Sequence, residues 1–350
     1  MSSRASECES RDPVIAYAIG FPCLPAGRSP SSNPPSSGFG MARNDISMTL
    51  QSLLNKSILE LKNAGIKSAE IDAKLLLMKT TSKNDVFIFS HPEYLITNSQ
   101  YYRFRHHIRK RKIGEPIAYI LGHKEFFGND FIVNKNVLIP RPETEWLVEK
   151  SIVFFQNQES RIKNYEKINI LDVGTGSGCI IISLIKSLLD SRFMIHDSVA
   201  FYATDISKKA IAVAKKNSKN HKVDNYIKFY NSDLFSNRFL NKKFDLITAN
   251  LPYVPRHQNH ESRIMNHGIK EGISFEPQSA IFADDDGMAI VKRFLIEAKS
   301  HVVQDGLILL ELDCRNAKSI LEFAKKQFPH SEVELIKDLA GLDRYVEINV

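Results

Sequence analysis

From Lys167 onward, short apolar runs alternate with stretches whose apolar residues recur at helical spacing, the pattern of strands separated by helices. The runs predict strands from Ile168 to Val173, Val199 to Thr204, Tyr226 to Tyr230, Phe244 to Ala249 and Leu307 to Leu312. Helices are expected from Cys179 to Leu189, from Ser207, near Ala289 to Ser300 and from Ala317 to Gln327. Two last strands, Glu332 to Lys337 and Arg344 to Val350, follow each other with no helix between them, as a hairpin does. This alternation predicts an α/β protein with a doubly wound, mostly parallel seven-stranded sheet.

The chain ahead of that sheet has other periods. Residues 46–113 read as a small helical domain. Leu50, Leu54, Ile58 and Leu61 share one helical face; Ile71, Leu75, Leu76 and Met78 predict a second helix, and Tyr101 to Lys112 a third. Residues 114–140 alternate short apolar pieces with Gly122, Gly128-Asn129 and Asn134-Lys135-Asn136, the punctuation of a β-hairpin linker. Residues 141–350 form the larger domain, entered by a helix with Pro142 and Glu143 in its first turn. Residues 1–45 contain no lysine, and their Ser/Pro/Gly/Asn tract from Ser29 to Gly40 reads as a disordered extension, with Met41 or Met48 as an alternative start.

Composition narrows the class. Hydrophobic content of 43% and charged content of 25% are those of a globular protein, and no apolar run approaches the ~20 residues of a membrane helix. The net charge of +7 favours an acidic partner without demanding one. Arg103, Arg105, Arg109, Lys110, Arg111 and Lys112 crowd one predicted helix, as either a solvated face or a phosphate-binding patch. Cys8, Cys23, Cys179 and Cys314 form no CxxC pair, so no metal site is expected and the thiols fit a reducing, cytoplasmic location.

The chemistry concentrates at strand ends, where open α/β sheets bind ligands. Asp172 precedes Gly174-Thr175-Gly176-Ser177-Gly178, a turn between strand and helix whose glycines admit a close ligand. Its third glycine comes four residues after the first, not five as in a dinucleotide fingerprint. The order DxGxGxG resembles the adenosylmethionine loop of class I methyltransferases; a nucleotide site and a structural turn are the alternatives. Asp205, Asp233 and Asn250 end the next three strands. Asp205 can accept both hydroxyls of a ribose, Asp233 can accept an adenine amino group, and Leu234 or Phe235 can cover the ring.

Asn250-Leu251-Pro252-Tyr253 then suits methylation of a planar nitrogen whose lone pair is delocalised. The Asn250 carbonyl accepts one N–H and a backbone carbonyl near Leu251 or Pro252 the other. Pro252 stiffens the turn, and Tyr253 offers a stacking face. Catalysis is then in-line positioning, with no general base needed.

Further segments carry a more specific resemblance: Pro116 to Gly122 with Glu125-Phe126-Phe127-Gly128, Leu138 to Glu145, and Phe275-Glu276-Pro277 through Ala280 with Asp286-Gly287-Met288. From about residue 48 to 350 the chain resembles the release factor glutamine methyltransferases. The resemblance implies a class I methyltransferase fold behind a substrate-recognising helical domain. It implies transfer of a methyl group from S-adenosyl-L-methionine, leaving S-adenosyl-L-homocysteine, to the glutamine amide nitrogen of the Gly-Gly-Gln motif in class 1 release factors. Gly174 to Gly178, Asp205, Leu234 and Asn250 would contact the cofactor, and Asn250 to Tyr253 would grip the glutamine. The family usually has Pro where this chain has Leu251, and Asn-Leu-Pro-Tyr resembles the ribosomal RNA adenine dimethyltransferases. The alternatives are therefore an adenine-N6 methyltransferase acting on RNA or DNA and a binding protein without turnover. Neither direct nucleic-acid binding nor membrane association is expected, and the enzyme is expected to be a monomer.

Overall fold

The computed structural model describes residues 48–164, 166–191, 198–255 and 272–350. The disordered extension expected over residues 1–45 lies outside them. Residues Asp45–Val350 form one compact unit.

The chain begins with helices α1 (Leu50–Asn63), α2 (Ala69–Thr81), α3 (Asp85–Ser90), α4 (Asn98–Lys112) and the short α5 (Ile117–Leu121), beside a two-stranded pair of β1 (Met48–Thr49) and β2 (Leu95–Ile96). Side-chain caps set where they start. Thr49 caps α1 by accepting from the Ser52 N–H, and Thr97 forms a capping box with Gln100 at α4. Leu50, Leu53, Leu61, Leu76, Leu77, Phe104 and Ile108 are fully buried between the helices. The α2 face differs from the expected one. Ile71 is exposed, while Ala69 and Ala73 are buried along with Asp72, whose carboxylate is paired with Arg111. That ion pair, which hydropathy alone cannot show, turns a charged position inward.

The hairpin β3 (His123–Phe126) and β4 (Asn129–Ile132) follows, with Gly128 at its turn. Several groups tie it to the rest of the chain, among them Glu145, which accepts from the Phe127 N–H, and Asn217, which is 0% exposed. The Asn217 amide donates to the carbonyls of Ile132 (3.0 Å) and Ser177 (2.9 Å), and its oxygen accepts from the Ile132 N–H (2.8 Å).

The large sheet has the expected seven strands: β5 (Ile168–Val173), β6 (Val199–Asp205), β7 (Ile227–Asn231), β8 (Phe244–Asn250), β11 (Val302–Glu311), β12 (Glu332–Lys337) and β13 (Asp343–Asn349). A separate small parallel pair, β9 (Val254–Pro255) and β10 (Phe282–Ala283), lies between β8 and β11 in the chain. The order in the seven-stranded sheet is β12-β13-β11-β8-β5-β6-β7, with β13 running antiparallel to the other six strands. Strand alternation sends successive residues to opposite faces. Ile170 and Leu246 join the cluster under α6 (Glu145–Asn157) and α8 (Cys179–Asp190), while Leu171 and Ile247 join the cluster under α10 (Ala289–His301) and α11 (Ala317–Gln327). Both faces are covered over the central strands β5, β6 and β8, which are therefore buried along most of their length, as parallel strands usually are. The order reverses between β5 and β8, placing a crevice at their carboxyl ends.

Candidate active site

That crevice is a cavity of about 290 Å³. Gly174, Thr175, Gly176 and Ser177 line it from the loop after β5; Asp205 from the end of β6; Asp233 and Leu234 from beyond β7; and Asn250, Leu251 and Pro252 from the end of β8. Thr144 and Arg141, from the turn leading into α6, close one side, and Arg293 from α10 another. The sequence-predicted residues therefore converge, with three exceptions.

Asp172 does not reach the cavity. It is 0% exposed beneath the loop, accepting from the hydroxyls of Thr175 (2.6 Å) and Thr248 (2.9 Å). Burial pushes its carboxyl up to about 6 against the pull of those two hydroxyls. Its place is to brace the loop from below. Gly178 does not face the cavity either: a Cβ there would lie 2.8 Å from Ile182 and 3.3 Å from Ala214. It lets α8 pack on α9 (Lys208–Asn220). Tyr253, expected to offer a stacking face, contributes no lining; its hydroxyl donates to Glu311 Oε1 (3.2 Å), which makes it an anchor for the loop.

Gly174 does serve close approach. Its φ is +74°, and a Cβ would come within 3.0 Å of the Leu251 Cδ2. Leu251 is 5% exposed and packs against the glycine loop as part of the core. Its side chain thus joins two binding segments, while its backbone remains that of the tetrapeptide.

Asp205 accepts the N–H groups of Gly176 (3.0 Å) and Ser207 (2.8 Å), one on each oxygen. Burial raises its pKa and these two N–H groups oppose the rise. Each oxygen keeps a lone pair, enough for a vicinal diol. Asp233 is ion-paired with Arg293, which also reaches Glu297 at 3.4 Å. Leu234 adopts a left-handed φ of +48° and presents an apolar wall. Glycine loop, acid and apolar wall form a set suited to a nucleoside.

Asn250 is the most constrained of the cavity groups. Its Nδ2 donates to Thr144 Oγ1 (3.0 Å) and to Glu311 Oε2 (3.0 Å). Both amide hydrogens are used, and among the described residues no donor occupies Oδ1. Burial pushes Glu311 up to about 7, moderated by Thr144, Arg344 and Tyr253. Sequence reasoning missed Glu311, Thr144 and Arg293. Glu311 is the last residue of β11 as Asn250 is of β8, so extending the strand-end argument to a fifth strand was the available signal. Opposite the site, Glu276 accepts from Arg141 (2.5 Å) and from the Ile139 N–H (3.1 Å).

The basic helix is partly ion-paired, with Arg103, Arg109 and Lys112 exposed. Arg105 pairs with Glu60, Lys110 with Glu115, Arg111 with Asp72, and Lys112 lies 3.9 Å from Glu60. Among the described residues no helix is long and apolar enough to cross a membrane.

Residues 52–122 match the model of the PrmC N-terminal domain, and residues 164–324 that of a methyltransferase domain. A release factor glutamine methyltransferase of Koribacter versatilis is 33% identical over 299 residues, covering 85% of this chain and 98% of that protein. Its counterpart in Nitratidesulfovibrio vulgaris is 31% identical over 303 residues, covering 85% and 94%. A bifunctional methyltransferase of Rickettsia bellii is 33% identical over 323 residues, covering 86% of this chain but 55% of that protein. The chain thus spans about half the length of that relative.

Proposed function

The chain belongs to the release factor glutamine methyltransferase family, and on that premise we propose that it methylates the side-chain amide nitrogen of the Gly-Gly-Gln glutamine in class 1 release factors. Bound S-adenosyl-L-methionine would supply an electrophilic methyl group on a sulfonium, which becomes the thioether S-adenosyl-L-homocysteine as the carbon–sulfur bond breaks. Asp205 would hold its ribose, Leu234 its base, with Asp233 beside the exocyclic amine, and the backbone of Gly174 to Ser177 its amino-acid end.

One observation carries the reading: Asn250 has both amide hydrogens engaged and its oxygen open. A glutamine side-chain amide brings two N–H donors. Asn250 Oδ1 takes one and the backbone carbonyl near Leu251 or Pro252 the other, so the nitrogen is held with its face toward the methyl. Methyl transfer places the positive charge on that nitrogen, and a proton leaves it for water. Glu311 is too enclosed to collect that proton, being 1% exposed. Positioning of this kind is worth up to about 7–11 kcal/mol of barrier. Residues 46–113 would recognise the release factor, with 114–140 as the linker. A cytoplasmic location and action as a monomer accompany the reading.

An adenine amine in nucleic acid would satisfy the same acceptors. The likeness of residues 52–122 to the PrmC N-terminal domain and of most of the chain to release factor glutamine methyltransferases, rather than the charge of α4, favours the amide.

The test is transfer of labelled methyl to a release factor and to its Gln→Asn loop variant. Label confined to the unaltered factor is the expected result, and label found only in nucleic acid refutes the reading. Asn250→Ala should abolish transfer while the fold persists, with a melting temperature lowered modestly because the buried Thr144 and Glu311 each lose a donor.

A further inference from the structure

Glu311 lies at the end of β11 directly opposite Asn250, in the parallel register that pairs the two strands. Its carboxylate serves three partners: Asn250 Nδ2 on Oε2, the Tyr253 hydroxyl on Oε1, and the Thr144 hydroxyl. Each partner comes from a segment singled out in the sequence, namely the catalytic tetrapeptide and the Pro-Arg-Pro-Glu-Thr-Glu entry.

We propose that Glu311 is a positioning residue that determines which end of the Asn250 amide, oxygen or nitrogen, faces the cavity. The inference rests on the activity proposed above. The two ends of an asparagine amide are nearly alike in shape and opposite in hydrogen bonding. Turned end for end, Asn250 would present N–H donors to a substrate amide that also arrives with N–H donors. An ionised carboxylate behind it opposes that arrangement, because Oδ1 would then face a buried acceptor that has lost its donor. Thr144 takes the second amide hydrogen, and Tyr253 holds the other carboxylate oxygen in place.

The charged and titratable groups around Glu311 are Tyr253 on the loop, Glu143 on the turn before α6, Arg344 and Tyr345 on β13, and Cys179 at the start of α8. Arg344 is the cation among them and favours the ionised form; burial and Glu143 oppose it. Protonated, Glu311 becomes a donor as well as an acceptor and no longer distinguishes the two ends of the amide. Correct orientation is therefore complete above neutral pH and lost as pH falls through about 7.

The test uses the full chain with Glu311→Gln, which keeps the shape of the side chain and removes its discrimination. With saturating S-adenosyl-L-methionine and a release factor, kcat should fall roughly 10- to 100-fold. Cofactor affinity should change far less than kcat, because the contacts of Asp205, Leu234 and the glycine loop are untouched. The wild-type kcat should decline on the acid side near pH 7, and the variant should lack that limb. A second measurement needs no turnover. In protein labelled with 15N-asparagine, the Asn250 side-chain signals, assigned by their loss in Asn250→Asp, should titrate in the wild type and move in Glu311→Gln. Wild-type kcat, an unaltered pH profile and unmoved Asn250 signals in the variant would overturn the inference. If the wild type transfers no methyl to a release factor, the activity itself is refuted, and the Asn250 signals alone decide the role of Glu311.

Discussion

Gly287 stands behind the tetrapeptide, outside the cavity lining, and its replacement by alanine should damage catalysis more than stability. Its φ is +87°, and an added Cβ would lie 2.0 Å from the carbonyl oxygen of Tyr253 and 2.8 Å from its carbonyl carbon. No real Cβ contact is shorter than 3.0 Å, so the Tyr253 peptide must withdraw by about 1 Å. The yielding atom is backbone, three residues from Asn250, and no side-chain rotation relieves the clash. A positive φ costs alanine about 1–2 kcal/mol, whereas a 1 Å displacement of positioning groups costs about 100-fold in rate. Gly341→Ala separates the two effects, because Gly341 has a φ of +78° with nothing within 4 Å of its Cβ position. Both variants should lose similar stability in urea unfolding. Only Gly287→Ala should lose about 100-fold in kcat, measured by labelled methyl transfer to a release factor at saturating cofactor. Equal kcat in the two variants would refute the argument that this glycine sets the position of the tetrapeptide.

Asp205→Asn keeps only one of the N–H contacts of Gly176 and Ser207, because an amide nitrogen cannot accept, and weakens acceptance of a diol, so calorimetry should show cofactor Kd raised about 10-fold; an unchanged Kd would remove Asp205 from the ribose. Arg111→Ala strands Asp72, whose side chain is 3% exposed, and should cost about 3–5 kcal/mol in urea unfolding; a loss typical of a surface pair, under about 1 kcal/mol, would contradict its burial. Asp172 titrates near 6 when folded against 3.8 in its ordinary state, so the folded form holds the proton more tightly. Its contribution to stability is then greatest below about pH 4 and declines as pH rises through 6, by roughly 3 kcal/mol in all. The stability difference between wild type and Asp172→Asn should follow that curve between pH 4 and 7.5, and a pH-independent difference would show that Asp172 is not the titrating group.

The sheet was legible because its central strands are short apolar runs bounded by turn or polar residues, while β12 and β13 show the alternation of charged and apolar residues of a half-exposed hairpin. The site was legible only in part. Asp205 and Asn250 are the last residues of their strands and open onto the crevice, whereas Asp172 lies one residue inside β5, with Val173 after it. One position along a strand reverses the face a side chain presents, which is why similar acids separate into a lining group and a brace. Glu311 was hidden because its meaning depends on the β8–β11 register, which joins residues 61 apart. For the same reason the sequence leaves the basic helix open between a solvated face and a phosphate patch: Glu60 and Asp72, which pair with Arg105 and Arg111, belong to α1 and α2.

Asn217 bears on how this architecture is inherited. The family models divide the chain at residues 122 and 164, and the β3–β4 hairpin falls in the gap between them. Yet Asn217, inside the catalytic half, spends two of its three hydrogen bonds on Ile132 of that hairpin and the third on the glycine loop. A lineage that discarded the helical domain could not shed the hairpin with it without leaving a buried amide bare beside the loop. The hairpin is therefore bonded to the catalytic half, and a chain cut before His123 keeps those bonds.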